Sequence, residues 1–171
     1  MLNKLRYWRD MRRFQTLAQS RRHLVFYCEG PSYWVHLEPL VRHAMSDHDI
    51  PICYLSSASD DPGLDAVAGR GEAFLIGDGA VRTVLFKSFP PGVLVMTMPD
   101  LESFHIKRSV HPVHYVYVQH SLVSTHMVYR PDAFDHFDTI FCAGPHHIAE
   151  IRARERLLGL PEKQLFEHGY G

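Results

Sequence analysis

Short, nearly unbroken apolar runs alternate along the chain with longer stretches in which apolar residues recur every three or four positions. The run His23 to Cys28 (HLVFYC) is closed by Glu29-Gly30-Pro31, and from Tyr33 to Met45 the spacing becomes helical. Pro51 to Ser56 predicts a second strand, Asp60 to Gly71 a turn-rich stretch with a short helix, and Ala73 to Ile76 a third strand. A helix over Ala80 to Phe89 is stopped by Pro90-Pro91-Gly92, and Val93 to Met98, Tyr115 to Gln119 and Thr139 to Ala143 follow as strands. Pro145 to Leu158 reads as a helix with proline at its start and Gly159 at its end. Strands that are apolar at nearly every position, and not at every second one, belong to a sheet covered on both faces. Alternation with helices makes that sheet mainly parallel, so the expected class is α/β: Rossmann-like, with helices on both faces.

The first 22 residues follow another pattern. On a helix at 100° per residue, Tyr7, Met11, Phe14 and Ala18 share one face with Trp8 at its edge, while Arg6, Arg9 and Arg13 occupy the other. Seven basic side chains stand here against Asp10 alone, a charge of +6, which leaves −7 on the remainder. A basic amphipathic helix over residues 1–22 has two readings. It lies on an anionic membrane surface through Arg6, Trp8, Arg9 and Arg13, or it packs its aromatic face on its own domain. No nucleic-acid partner is expected, because no helix-turn-helix, zinc-finger or RNA-binding signature follows the basic segment.

Composition narrows the class further. At 171 residues with 46% hydrophobic and 22% charged side chains and a net charge of −1, the chain is neither disordered nor uniformly basic. Residues 23–171 are expected to form one domain. No apolar run reaches the roughly 18 residues of a membrane span, and Cys28, Cys53 and Cys142 are an odd count within apolar runs, which reads as reduced core cysteines of a cytoplasmic protein.

In an open parallel sheet, ligands bind beyond the carboxyl ends of the strands. Three sequences follow predicted strands at that edge. Glu29-Gly30-Pro31-Ser32 combines a glycine with a helix start but lacks G-x-G-x-x-G. Gln119-His120-Ser121 puts a histidine, with a reference pKa of about 6.5, at the end of YVYV. Gly144-Pro145-His146-His147 opens a helix whose N-terminus suits an anion. Neighbouring helical histidines point about 100° apart and there is no H-E-x-x-H, so no metal and no cofactor is expected. A serine hydrolase is also poorly supported, since G-x-S-x-G is missing.

The run "PDLESFHIKRSVHPVHYVYVQHSLVSTHMVY", followed by "AFDHFDTIFCAGPHHIAEI" and "LGLPEKQLFEHGYG", resembles the CDP-glycerol glycerophosphotransferase family of teichoic acid and capsule-type polymer synthesis. The likeness is strongest from Met98 to Gly171, extends to His23, and leaves the N-terminal helix outside. Where many members of the family carry His-Gly, this chain has His120-Ser121. The resemblance implies the N-terminal, acceptor-side lobe of a GT-B-type enzyme. The lobe that binds the CDP moiety would begin after Gly171, so this chain is expected to be an incomplete and inactive half.

The implied reaction moves glycerol phosphate from CDP-glycerol to a membrane-associated polymer or lipid-linked acceptor and releases CMP. His120 is then the expected general base, with Glu29, Gly30, Ser32, Ser121, Gly144 and His146 as substrate-binding residues. The protein would be cytoplasmic and, if its helix binds lipid, peripheral on the inner face of the membrane. A GT-B-type glycosyltransferase or epimerase lobe acting on nucleotide sugars, or a non-catalytic binding domain, stand as the alternatives.

Overall fold

In the computed structural model, which describes residues 2–102 and 106–170, seven strands form one sheet. Met1 of the N-terminal segment, and Ser103, Phe104, His105 and Gly171 of the resembling stretch, lie outside the described residues. The strands are β1 (Leu24–Cys28), β2 (Ile52–Ser56), β3 (Glu72–Leu75), β4 (Gly92–Met96), β5 (Val113–Val118), β6 (Thr139–Cys142) and β7 (Gln164–Glu167). Their order is β3-β2-β1-β4-β5-β6-β7, and every pairing is parallel. The helices are α1 (Leu2–Thr16), α2 (Trp34–Ser46), α3 (Pro62–Val67), α4 (Ala80–Lys87) and α5 (Pro145–Leu158).

Side chains that alternate along each strand divide the core in two. Val25, Tyr27, Leu94, Met96 and Tyr117 face one layer, filled by Met11 and Phe14 of α1, Leu85 and Phe86 of α4, and Ile151 of α5. Phe26, Cys28, Tyr54 and Val116 face the other, filled by Trp34, Leu37 and Val41 of α2 and Val67 of α3. Helices therefore cover both faces, as the apolar strands require. The Rossmann-like α/β expectation holds.

Most strand and helix ends shift by one or two residues from the sequence reading, and three differences are instructive. The helix expected over residues 1–22 stops at Thr16, whose hydroxyl donates to the Arg13 carbonyl at 3.0 Å; Ala18 is extended, and a single 3₁₀ turn covers Gln19–Arg21. The fourth helix ends at Lys87, and Phe89 turns fully into the core. Strand β7 was not anticipated: it is an edge strand with mostly exposed residues and so lacks an unbroken apolar run. Gly92 opens β4 at φ +152, and a Cβ there would lie 2.6 Å from the His23 carbonyl oxygen, so only glycine allows the close approach of the two chains.

Of the two readings of the N-terminal helix, packing on its own domain is present in the structure. Phe14 is fully buried, its ring 5.7 Å from that of Phe74 and 5.4 Å from that of Phe89. Asp10, only 3% exposed, accepts a hydrogen bond at 3.2 Å from the backbone N–H of Leu75, on the free edge of β3. Arg6, Arg9 and Arg13 surround the same carboxylate at 3.4–3.6 Å. The helix thus closes one edge of the sheet. No described helix is long and apolar enough to cross a membrane.

The three cysteines are buried and unpaired, and burial pushes the Cys28 and Cys53 thiols up to about 12 and Cys142 to about 11. None is a thiolate at neutral pH. For α1, Phe14→Ala is expected to cost about 3–5 kcal/mol in urea unfolding, whereas Leu5→Ala costs less than about 1 kcal/mol. Equal, small losses would show that the helix does not belong to the core.

Candidate active site

The strand order sets the location. From β1 the chain runs outward through β2 and β3, then returns to β4 on the other side of β1 and continues to β7. The crevice beyond the carboxyl ends of β1 and β4 is therefore the topological switch point. Glu29-Gly30 follows β1, Thr97-Met98 follows β4, and His120 lies just beyond β5.

His120 is half-buried and held from three sides. The Tyr117 hydroxyl lies 3.4 Å from its Nδ1, the Tyr33 ring meets it edge to face at 5.3 Å, and the His36 ring is 5.5 Å away. Burial lowers its pKa from the usual 6.5, a hydrogen bond to the Val118 carbonyl opposes that shift, and His36 adds to it. The imidazole is therefore neutral at pH 7 and free to accept a proton. Tyr117 is fully buried, and burial holds its hydroxyl in the protonated form.

Glu29 is the second ionisable group at the switch point. Burial raises its carboxyl to about 7, against the opposing effect of Arg82. Arg82 itself donates to the Tyr27 hydroxyl at 3.1 Å, which lies 2.8 Å from Ser57 Oγ, which in turn donates to the Gly77 carbonyl at 2.9 Å. This chain of donors ties the ends of β1, β2 and β3 together under Glu29. Gly30 is extended, and a Cβ on it would meet nothing within 4 Å, so neither strain nor packing requires glycine and the turn faces open space.

The remaining expected residues fall into two groups. Ser32 is exposed in the 3₁₀ turn that leads into α2, beside Gly30. Ser121, Gly144 and His146 belong to a second assembly, in which α5 braces the loop after β5. Ser121 Oγ accepts from the Val123 N–H at 3.4 Å, His146 Nε2 lies 3.3 Å from the Leu122 carbonyl oxygen, and Gly144 caps α5. His147 is completely buried with Nε2 at 2.9 Å from the Val123 carbonyl, and Glu150 accepts from both the N–H and the hydroxyl of Thr125 at 2.6 Å. These contacts shape the loop that follows His120.

Several residues at this edge were not singled out from sequence. His36 lies beside His120, the Tyr170 ring is 5.7 Å from that of His36, and His168 is near enough to feel His36. Burial lowers the His168 pKa, bonds to the Gln119 and Phe141 backbone oppose it, and His36 lowers it further. The Thr97 hydroxyl, fully buried at the end of β4, has no hydrogen-bond partner. The only local signal was position after a strand, which marks Thr97 and His168 once β4 and β7 are known. Among the described residues, no three His, Cys, Asp or Glu side chains form a metal-ligand set. A cavity of about 180 Å³ lies apart from this edge, between α5 and the 125–135 loop, where Arg154 binds both carboxylate oxygens of Asp135 at 2.6 Å.

No known family model, no characterised protein and no solved structure matches the chain.

Because the folded state holds the Glu29 proton more tightly than the unfolded chain, stability falls as pH rises from about 4.5 to about 7. Glu29→Gln mimics the neutral acid. It is expected to match the parent at pH 4 and exceed it by about 1–3 kcal/mol at pH 8 in urea unfolding; a pH-independent difference would place Glu29 in water.

Proposed function

We propose that this domain is the acceptor-side lobe of a GT-B-type glycerophosphotransferase of polymer synthesis. The observation that carries the reading is His120: a neutral, half-buried imidazole fixed at a strand end by Tyr117, Tyr33 and His36, beside the switch point. A primary hydroxyl is a poor nucleophile until its proton leaves, and a positioned histidine base typically contributes about 10²–10⁴-fold.

In the proposed step, the terminal hydroxyl of the acceptor attacks the β-phosphorus of CDP-glycerol. A new O–P bond forms, the bond from that phosphorus to the bridging oxygen breaks, CMP leaves with the oxygen, and the acceptor's proton passes to His120. Glu29, protonated below about pH 7, can donate a hydrogen bond to an acceptor oxygen across the crevice. Charge on the transferring phosphate requires cationic groups or helix N-termini, and the family resemblance assigns these and the nucleotide site to a second lobe. The acceptor is membrane-borne in this reading, and the protein works peripherally at the cytoplasmic face.

Nuclear magnetic resonance of the 171-residue chain separates the readings. A short soluble oligo(glycerol phosphate) is expected to shift the imidazole signals of His120 and His36, while CDP-glycerol alone leaves them in place and yields no CMP. Shifts with CDP-glycerol or UDP-sugars in place of the oligomer would reverse the assignment to donor binding; no shift with any of them would point to a non-catalytic domain. In any length of chain that turns over CDP-glycerol, His120→Ala should lower kcat by at least about 10²-fold. The acid limb of its pH profile should lie below 6.5, since burial lowers the histidine's pKa.

A further inference from the structure

Burial of the aromatic stripe leaves helix α1 with a second apolar side. Leu5 is 71% exposed and Trp8 41%, and with Arg9, Arg12, Arg13 and Thr16 they line a shallow outward groove. At 100° per residue, Leu5, Arg12 and Thr16 fall within an arc of about 40° centred diametrically opposite the buried Phe14. Several of the segment's cations are paired: Arg13, at one rim of the groove, lies over the Phe74 ring at 4.8 Å and pairs with Asp10 and Glu72, and Arg21 pairs with Glu72. Arg6 and Arg9 lie 3.6 and 3.4 Å from Asp10, with the Arg9 side chain still 68% exposed.

We propose that this outer ridge, Leu5, Trp8, Arg9 and Arg12, is the docking surface for an anionic lipid bilayer. The proposal rests on the reading that the protein works at a membrane, and puts Leu5 and Arg12 in place of Arg6 and Arg13 in the expected contacting set. Lying parallel to the bilayer, the helix sinks Leu5 and Trp8 into the boundary between headgroups and acyl chains, while the long stems of Arg9 and Arg12 carry their guanidiniums to the phosphates. Charge favours this occupant. The +6 of residues 1–22, offset in part by Glu72, is attracted to an anionic surface. A second copy of the chain would bring two basic ridges face to face. A nucleic acid supplies phosphates but no continuous apolar phase for Leu5.

The test is sedimentation of the chain with vesicles of phosphatidylcholine, with and without phosphatidylglycerol, followed also by tryptophan emission. Trp34 is buried, so a blue shift reports Trp8. Binding is expected only with phosphatidylglycerol, and is expected to weaken with salt. Leu5→Ser with Trp8→Ala, and separately Arg9→Glu with Arg12→Glu, should each reduce it by at least about tenfold. Arg42→Glu, on α2 at the other face of the sheet, should leave it unchanged. Urea unfolding of each variant checks that the fold is retained.

Undiminished binding in both double variants overturns the proposal, as does equal binding to vesicles without phosphatidylglycerol. Dimerisation through the ridge, or binding of RNA or DNA in place of vesicles, would also overturn it. Loss of vesicle binding with the His120 shift by soluble oligo(glycerol phosphate) intact separates this surface from the catalytic reading. Vesicle binding without any such shift would leave the surface standing and defeat the transferase assignment alone.

Discussion

An all-parallel sheet puts the carboxyl end of every strand on the same edge, and this one constraint organises the rest of the molecule. The order β3-β2-β1-β4-β5-β6-β7 opens the edge between β1 and β4, since the chain leaves β1 in one direction and resumes beside it in the other. Side chains distant in sequence meet there because strands separated by helices must end together. Glu29 from the end of β1 and His120 from the end of β5 flank β4, whose end contributes Thr97. Parallel strands also have to be covered on both faces, and the helices that cover them supply Tyr33 and His36 at the start of α2.

The chemistry of the site follows from burial more than from specific ion pairs. Desolvation disfavours the charged form of any group, so it raises the carboxyl of Glu29 and lowers the imidazoles of His120 and His168. Between pH 6.5 and about 7 the acid therefore still holds much of its proton while the imidazoles have lost theirs. Tyrosines maintain that environment. Tyr27 and Tyr117 place hydroxyls under the edge while their rings fill the core, so polar contacts are offered without admitting water to the layer below.

What the sequence disclosed depended on how strongly each residue was buried. Strands β1, β2, β4 and β5 are covered on both faces and read as unbroken apolar runs; β7, with the exposed Phe166 and Glu167, gave no such pattern. His120 could be found because it directly follows YVYV. His36, His168 and Tyr170 could not, because their meeting at this edge depends on the strand order and on β7. Ser121 and His146 have the composition of a site, yet their hydrogen bonds go to the loop between β5 and α5. Asp10 was hidden for another reason: a lone acid among seven basic residues looks like a solvated charge, and only its bond to Leu75 shows that it seals a sheet edge.

That seal also sets where the outer ridge of α1 lies relative to the site. Asp10 meets Leu75, Arg13 meets Glu72, and a Cβ on Gly77, which follows β3, would lie 2.5 Å from the Tyr7 ring. The helix therefore runs antiparallel to β3, and its first turns sit at the carboxyl edge of the sheet, the edge that carries His120. Four strand spacings separate β3 from β5, or roughly 20 Å at about 4.8 Å each. A bilayer touched by Leu5 and Trp8 would thus lie to the side of the edge that carries His120, within reach of an extended polymer of a few residues. On the proposed transferase reading, a lipid-anchored chain could enter the crevice from that side without leaving the membrane, and the distance would set a minimum length for an acceptor reaching His120.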